Sequence, residues 1–271
     1  MEFFGKNNID FLQFNILKDK NLFHFSTTIQ GGISEGNYST FNLGFYGGDE
    51  REKVYENRTR LALAAEIEYS RLYIPYQTHS DNITVINEEF LNLNENDRYL
   101  KLNGVDAVIT NQPDICIGIT TADCVPVLLY DPVKKILAAV HAGWKGTVQY
   151  IAVSTLKKMK KEFDCNYTDV KVGIGPAISA ACYEVGDDVR DTFMLAAFDM
   201  EKISFLNEET GKYHIDLKEA NRLQLIEAGI LPDNIEVTDL CTYCQPELFF
   251  SARRQGIHSG RMVTGGVLKN I

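Results

Sequence analysis

The chain has 271 residues, with 27 Lys and Arg against 37 Asp and Glu, so its formal net charge is -10. A protein that binds duplex nucleic acid needs a basic stripe, and no run of Lys and Arg occurs outside residues 157–161. No apolar stretch reaches the roughly 18 residues that a membrane-spanning helix needs. The composition therefore predicts a globular protein that binds neither nucleic acid nor membranes.

The N-terminal residues Met1-Glu2-Phe3-Phe4-Gly5-Lys6 lack the charged segment and apolar core of a signal peptide, so we expect a cytoplasmic protein. In that compartment the six cysteines are expected to stay reduced. The sequence contains no repeat, no low-complexity segment and no linker rich in Pro and Ser. It therefore predicts a single domain over residues 1–271.

Helical periodicity is clearest in four segments, at about residues 49–67, 147–163, 187–197 and 217–228. Asp49 is a candidate N-cap of the first helix, and Arg58 falls on its apolar stripe. Between and after the first two helices lie short β-branched runs, at residues 83–86, 105–109, 115–120, 125–130, 136–140 and 170–174. Most are too close together for helices between them, which favours mixed or antiparallel pairing and an α+β fold.

Cys124 opens one predicted strand and His141 closes the next, so a hairpin turn at Asp131-Pro132 would bring the two side chains together. A thiol beside an imidazole can act as a nucleophilic pair or supply half of a metal site. A buried structural cysteine and a satisfied core histidine are the third interpretation. His79, on a polar turn, is a candidate third ligand. A His-Cys-His set with one open position is typical of catalytic zinc.

The residues after His141 are small and begin the second predicted helix. Backbone amides and the positive end of a helix dipole favour an anion there, and Lys145 stands at the entrance. The spacing of a P-loop is absent. We therefore predict Lys145, Gly146 and Thr147 as phosphate-binding residues.

Further motifs match a known family in order along nearly the whole chain. The most specific are Thr121-Ala122-Asp123-Cys124-Val125-Pro126 and His141-Ala142-Gly143-Trp144-Lys145-Gly146-Thr147. Others are Phe41-Asn42-Leu43-Gly44, Glu56-Asn57-Arg58, Gln77-Thr78-His79, Cys182-Tyr183-Glu184-Val185 and Cys241-Thr242 followed by Cys244. In these motifs the chain resembles the YfiH family, long labelled laccase-like polyphenol oxidases. Ser80 stands where the family usually has glycine, and Ile29 where it usually has arginine.

The resemblance implies an α+β domain with a central mixed β-sandwich flanked by helices. It also implies a zinc ion held by His79, Cys124 and His141. The activities that it implies are phosphorolysis of adenosine, inosine and S-methyl-5'-thioadenosine, and deamination of adenosine. Purine nucleosides and inorganic phosphate would then be the ligands.

These reactions need groups that the chain must supply. Deamination needs a carboxylate that moves protons while zinc-activated water attacks, so Asp123 and Glu184 join Cys124 in the predicted catalytic set. Phosphorolysis needs phosphate held beneath the ribose. Arg58 is a candidate for that role beside the Lys145 group, and we add Asn42 to the substrate-binding or phosphate-binding set. A surface ion pair is the alternative role for Arg58.

Three other classes stay open. The family label suggests a copper oxidase, although five histidines cannot furnish both a blue-copper site and a trinuclear cluster. A Cys-His hydrolase or deamidase would use Cys124 as its nucleophile, which bound zinc would prevent. A non-enzymatic module with structural zinc would need a fourth ligand. The Cys241-Thr242-Tyr243-Cys244 motif has no second pair and is predicted to be structural. Internal ion pairs are predicted for Arg253, Arg254 and Arg261, with binding of an acidic ligand as the alternative.

Overall fold

The computed structural model describes residues 1–270, so Ile271, the last residue of the predicted domain, lies outside the described residues. The α-helices are α1 (Arg51–Ala64), α2 (Glu88–Leu91), α3 (Glu95–Lys101), α4 (Trp144–Val148), α5 (Ile151–Phe163), α6 (Asp187–Leu195), α7 (Met200–Ile203), α8 (Leu217–Glu227) and α9 (Ala252–Gln255). The strands are β1 (Glu2–Lys6), β2 (Ile9–Gln13), β3 (Leu22–Thr27), β4 (Leu72–Tyr73), β5 (Ile83–Ile86), β6 (Ala107–Thr110), β7 (Cys116–Thr121), β8 (Val125–Asp131), β9 (Ile136–Ala142), β10 (Lys171–Ile174), β11 (Glu184–Val185), β12 (Ser204–Asn207), β13 (Lys212–Ile215), β14 (Ile235–Val237) and β15 (Met262–Leu268).

These strands form two six-stranded sheets and a small three-stranded one. The first sheet has the order β1-β2-β3-β15-β7-β4, the second β14-β10-β8-β9-β6-β5, and the third β11-β13-β12. Three pairs are parallel, β4 with β7, β5 with β6, and β10 with β14, while the other pairs are antiparallel. Both large sheets are therefore mixed.

The two large sheets pack face to face with helices on their outer sides. Strand β8 is apolar on both faces, because its side chains alternate between two layers. Leu128 and Tyr130 enter the core between the sheets, while Val127 and Leu129 pack with α5. Leu61 of α1 belongs to the cluster that covers the first sheet. The predicted α+β fold, a mixed β-sandwich flanked by helices, is confirmed.

The predicted hairpin is confirmed as well. Strands β8 and β9 pair with Pro126 opposite His141, and Asp131 accepts the amides of Val133 and Lys134 in the turn. Cys124 precedes Pro126 by two residues, which places it on the same side of the sheet as His141. The hairpin thus brings the thiol and the imidazole together.

Two helix predictions are wrong in detail. The segment from residue 147 to 163 is no single helix, because Tyr150 takes the left-handed backbone conformation (φ 59°) and separates α4 from α5. Glu50, rather than Asp49, precedes α1 as its N-cap. The Asp49 carboxylate accepts hydrogen bonds from Ser34 and Asn42 instead. In residues 1–270, no helix is both long enough and apolar enough to cross a membrane.

Candidate metal centre

His79, Cys124 and His141 converge at one end of the β8–β9 hairpin. Their ligand atoms all lie within 4.8 Å of one another, and the Cys124 Sγ is 3.7 Å from the His79 Nε2. His79 comes from the loop after β4, with a left-handed backbone (φ 59°), and Cys124 from the turn between β7 and β8. One thiol and two imidazoles at this spacing could hold a metal ion.

Asp106, which is not among the predicted site residues, fixes two of the three ligands. Its Oδ1 accepts hydrogen bonds from the His79 amide at 3.1 Å and pairs with the His141 Nδ1 at 2.7 Å. Its Oδ2 accepts the Ser80 amide at 2.7 Å and the Ser80 hydroxyl at 2.8 Å. This pairing orients the His141 ring and leaves its Nε2 for a metal. The Ser80 hydroxyl thus adds a hydrogen bond that a glycine at this position could not make.

Asp106 left a signal in the sequence: an acidic residue inside the apolar run from Val105 to Ile109. Its side chain is fully buried, and a buried carboxylate needs partners. The hydrogen bonds from His141 and Ser80 outweigh burial, which alone would raise the pKa of Asp106, and hold that pKa below its usual range. The carboxylate therefore stays ionised beside His141.

Cys124 is prepared as a thiolate. Burial alone would raise the pKa of its thiol, but the His141 and His79 imidazoles outweigh it, so the pKa is lowered. Burial alone would lower the pKa of His141, and the Cys124 thiolate and the Asp106 carboxylate together raise it. A metal cation held by these residues would replace the His141 Nε2 proton as the positive charge beside the Cys124 thiolate, while the Nδ1 proton stays on the Asp106 side.

The absence of a side chain at Gly143 leaves room for His79 and Cys124. A Cβ atom built on this residue would lie 2.9 Å from the His79 Cδ2 and 3.0 Å from the Cys124 Sγ. Both separations are too short for ordinary contact. The glycine after His141 and Ala142 is thus a packing requirement of the cluster.

Replacing Gly143 by alanine should weaken metal binding about 10-fold to 100-fold, because the new methyl group displaces two ligands while removing neither. Competition against a chromophoric chelator measures the affinity. The Gly5→Ala variant serves as a control, since a Cβ there meets only the Asp10 carboxylate at 3.8 Å. Equal metal affinity in the two variants would show that the cluster does not depend on the space at Gly143.

A cavity of about 310 Å³ opens beside the cluster. It adjoins a second cavity of about 650 Å³, and the two share Phe45, Tyr46, Arg58 and Tyr76 in their walls. Arg261 also lines the smaller cavity. The joint space combines the candidate ligands, aromatic rings and two guanidinium groups.

In the described part of the chain, the guanidinium groups of Arg58 and Arg261 lack carboxylate partners, although the chain is acidic. Arg58 is buried, donates from Nε to the Leu43 carbonyl at 2.8 Å and stacks 4.3 Å from the Phe45 ring centroid. Arg261 donates to the Ser259 carbonyl and hydroxyl. Within residues 1–270, neither guanidinium has a carboxylate oxygen within 4.0 Å. The ion-pair alternative for Arg58 and the predicted ion pair of Arg261 are therefore wrong, and both charges are available to an anion. The predicted ion pairs of Arg253 and Arg254 are wrong as well, because their guanidinium groups donate to backbone carbonyls.

Asn42 and the Lys145 group are not among the residues that line the two cavities. Asn42 is buried, and its Oδ1 accepts the Gly44 and Arg261 amides, so it positions the loop. Lys145 is exposed beside the Trp144 ring, and the Thr147 amide donates to the Gly143 carbonyl. Helix α4 has only five residues and few aligned peptide dipoles. Phosphate binding by Lys145, Gly146 and Thr147 stays a prediction.

Asp123 and Glu184, the predicted proton-transfer carboxylates, also lie outside the residues that line the two cavities. Asp123 is buried; its Oδ1 accepts the Thr242 hydroxyl at 2.6 Å, and its Oδ2 accepts the Ser251 hydroxyl at 2.9 Å. The Glu184 carboxylate is within 4.0 Å of Lys212 and His214. Asp123 thus anchors the turn that carries Cys124, and catalysis by either carboxylate stays a prediction.

Comparison with known proteins places the chain in a family. Residues 23–269 match the family described as multi-copper polyphenol oxidoreductase laccase. A purine nucleoside phosphorylase of Bacteroides thetaiotaomicron is 49% identical over 245 residues, 90% of this chain and 91% of that protein. Adenosine deaminase RL5, from an unknown prokaryotic organism, is 42% identical over 242 residues, 89% of this chain and 92% of that protein.

Two solved structures are also similar to this chain in fold and sequence. YlmD from Geobacillus stearothermophilus superposes with a TM-score of 0.88 at 31% identity, and the match covers 97% of each chain. The hypothetical protein YfiH of Bacillus licheniformis superposes with a TM-score of 0.86 at 33% identity, again over 97% of each chain. The chain therefore belongs to the YfiH family of laccase-like proteins, as its motifs predict.

Proposed function

We propose that this protein is a zinc-dependent purine nucleoside phosphorylase that also deaminates adenosine, and that residues 1–271 form one catalytic domain. The observation that carries the proposal is the His79, Cys124 and His141 cluster in the wall of a cavity that also holds Arg58 and Arg261. The names of the relatives, purine nucleoside phosphorylase and adenosine deaminase, support it. Adenosine, inosine and S-methyl-5'-thioadenosine are the proposed nucleosides.

The cavity suits a purine nucleoside together with phosphate. The Tyr46 and Tyr76 rings, 4.2 Å apart between centroids, stand where the two cavities meet and offer an aromatic wall to a flat base. Arg58 and Arg261 offer planar donor sets that match phosphate oxygens. Volumes of about 310 and 650 Å³ lie within the range of small-molecule sites.

The ligand set suits zinc, because Zn²⁺ accepts one thiolate and two imidazoles and keeps a fourth position open in catalytic sites. His79, Cys124 and His141 would hold the ion, which supplies Lewis acidity when bound. Asp106 keeps the His141 ring in its orientation, and Arg58 with Arg261 would position phosphate and offset its charge. Copper is the alternative metal.

The remaining histidines argue against a copper oxidase. His24 is buried and bonds the Phe14 backbone, His214 pairs with the Ala180 carbonyl, and His258 lies in the 3-10 helix Gly256–His258. In the part of the chain that the structure describes, none of these three joins the His-Cys-His cluster. A trinuclear copper centre would need many more imidazoles at one place.

A Cys-His hydrolase is a second candidate that one observation favours. A nucleophilic triad places an imidazole between the nucleophile and a carboxylate. His141 stands in this way between the Cys124 thiol and the Asp106 carboxylate. A Cys124 thiolate that binds zinc cannot also act as a nucleophile, because the metal takes up its electron pair. Metal content of the active protein therefore separates the two functions.

Inosine turnover tests the proposed function directly. We expect hypoxanthine and ribose-1-phosphate in equal amounts when phosphate is present, and no hypoxanthine when sulfate replaces phosphate at equal ionic strength, because phosphate is the nucleophile. Adenosine assayed in parallel should also release ammonia. Chromatography of the bases and sugar phosphate measures the first reaction. Hypoxanthine release that is independent of phosphate would contradict the phosphorylase proposal.

A further inference from the structure

Three cysteines outside the His79, Cys124 and His141 cluster meet at one point of the surface. Cys182 ends the 3-10 helix Ala180–Cys182, and Cys241 and Cys244 lie in the loop after β14. Their Sγ atoms all lie within 4.8 Å of one another, and those of Cys182 and Cys244 are 3.0 Å apart. Cys241 is buried, Cys182 is half-buried and Cys244 is exposed. The third thiol comes from a segment that the Cys-x-x-Cys motif alone does not reveal.

We propose that Cys182, Cys241 and Cys244 form a second metal site, which takes a thiophilic closed-shell ion such as Zn²⁺. Two thiols from one Cys-x-x-Cys turn and a third from another segment are a common ligand pattern of thiolate zinc sites. Binding forms three metal–sulfur bonds, releases the three thiol protons to solvent and changes no oxidation state. Solvent reaches the exposed side at Cys244 and can complete a tetrahedral set.

The surroundings of Cys241 support a thiolate ligand. The Ser179 amide donates to the Cys241 Sγ at 3.3 Å, the kind of hydrogen bond that orients a sulfur ligand. The Arg254 guanidinium donates to the Thr242 and Tyr243 carbonyls at 3.0 and 2.6 Å, so a positive charge is bound to the loop between the two cysteines. That charge offsets part of the negative charge of three thiolates.

The loop is also held in place before any metal binds. The Cys241 amide donates to the Gln245 Oε1 at 3.0 Å, and the Thr242 amide donates to the Ala177 carbonyl at 3.1 Å. A preorganised loop loses little conformational entropy when it takes up an ion. A disulfide between Cys182 and Cys244 would leave out Cys241, the most buried of the three and the one whose sulfur accepts the Ser179 amide. The arrangement therefore favours a metal over a redox pair.

Zinc content tests the second site independently of catalysis. Protein reconstituted with excess Zn²⁺ and desalted should retain about two ions per chain, one for each three-ligand set. The double variant Cys182→Ser with Cys244→Ser should retain about one, and Cys124→Ala about one, each having lost a different site. Cys165→Ala is the matched control and should retain both ions, since Cys165 lies in the core and in neither cluster. Elemental analysis, divided by the protein concentration, gives the number of zinc ions per chain.

Mass-spectrometric alkylation mapping covers the case in which the double variant fails to fold. In the Cys124→Ala protein, Zn²⁺ should slow alkylation of Cys182, Cys241 and Cys244 together. Unchanged alkylation with zinc, complete loss of zinc in Cys124→Ala, or a Cys182–Cys244 disulfide in protein kept under reductant would each overturn the proposal. Failure of the phosphorolysis assay would leave these measurements untouched, so the two proposals stand or fall separately.

Discussion

Replacing Cys124 by alanine should abolish phosphorolysis of inosine, with kcat/KM falling at least about 10³-fold, the range reached when one member of a catalytic unit is lost. The thiol is the only anionic member of the His79, Cys124 and His141 cluster, and its pKa is lowered by the two imidazoles. Without it, two imidazoles remain and the site should lose its metal ion. Steady-state kinetics and metal content, measured on the same preparation, check both effects.

The control for this variant is Cys165→Ala, which also deletes a buried thiol but does so in the core beside α5. Its activity should stay close to that of the unaltered protein, apart from a modest loss of stability. Full activity in Cys124→Ala would rule out both the metal centre and the Cys-His hydrolase. Activity that disappears while the metal content stays unchanged would favour Cys124 as a nucleophile rather than as a metal ligand.

Replacing Asp106 by asparagine should lower metal affinity and kcat/KM about 10-fold to 100-fold, the usual cost of losing a group that orients metal ligands. The carboxylate accepts hydrogen bonds from both the His79 amide and the Ser80 amide and pairs with His141. An asparagine side chain has one acceptor oxygen, so its amide group must face at least one of these donors. Chelator competition and kinetics measure the two effects.

Asp131→Asn is the matched control for Asp106, because Asp131 is an equally buried carboxylate at the other end of the β8–β9 hairpin. Both variants should lose stability, since each leaves backbone amides with poorer acceptors. Only Asp106→Asn should lose metal affinity. If the two variants bound metal equally well, Asp106 would be a folding residue without influence on the ligands.

The hairpin could be predicted from the sequence because its information is local. Residues 125–130 and 136–140 are short β-branched runs on either side of Asp131-Pro132, and alternation places Cys124 and His141 on one side. His79 is a candidate from its place on a polar turn, and the Gln77-Thr78-His79 motif supports it. Local patterns therefore sufficed for all three members of the cluster.

Other parts of the site depend on pairings that no local pattern contains. Asp106 reaches His141 because β6 lies beside β9, and Arg261 reaches the cavity because it directly precedes β15 in the first sheet. Cys182 joins Cys244 across 62 residues. The break at Tyr150 has a different cause: a tyrosine in left-handed conformation carries no sequence signal, so one long helix was predicted where two occur.

Strand β15 occupies the middle of the first sheet, between β3 and β7, and the hydroxyls of Ser26 and Thr264 meet there across 238 residues of chain. During synthesis the ribosome releases His79, Cys124 and His141 well before this strand. Until Ser251 and Arg253 arrive, the Asp123 carboxylate in the turn that carries Cys124 lacks two of its hydrogen-bond donors. The turn that carries Cys124 therefore completes its hydrogen bonds only after most of the chain has been synthesised.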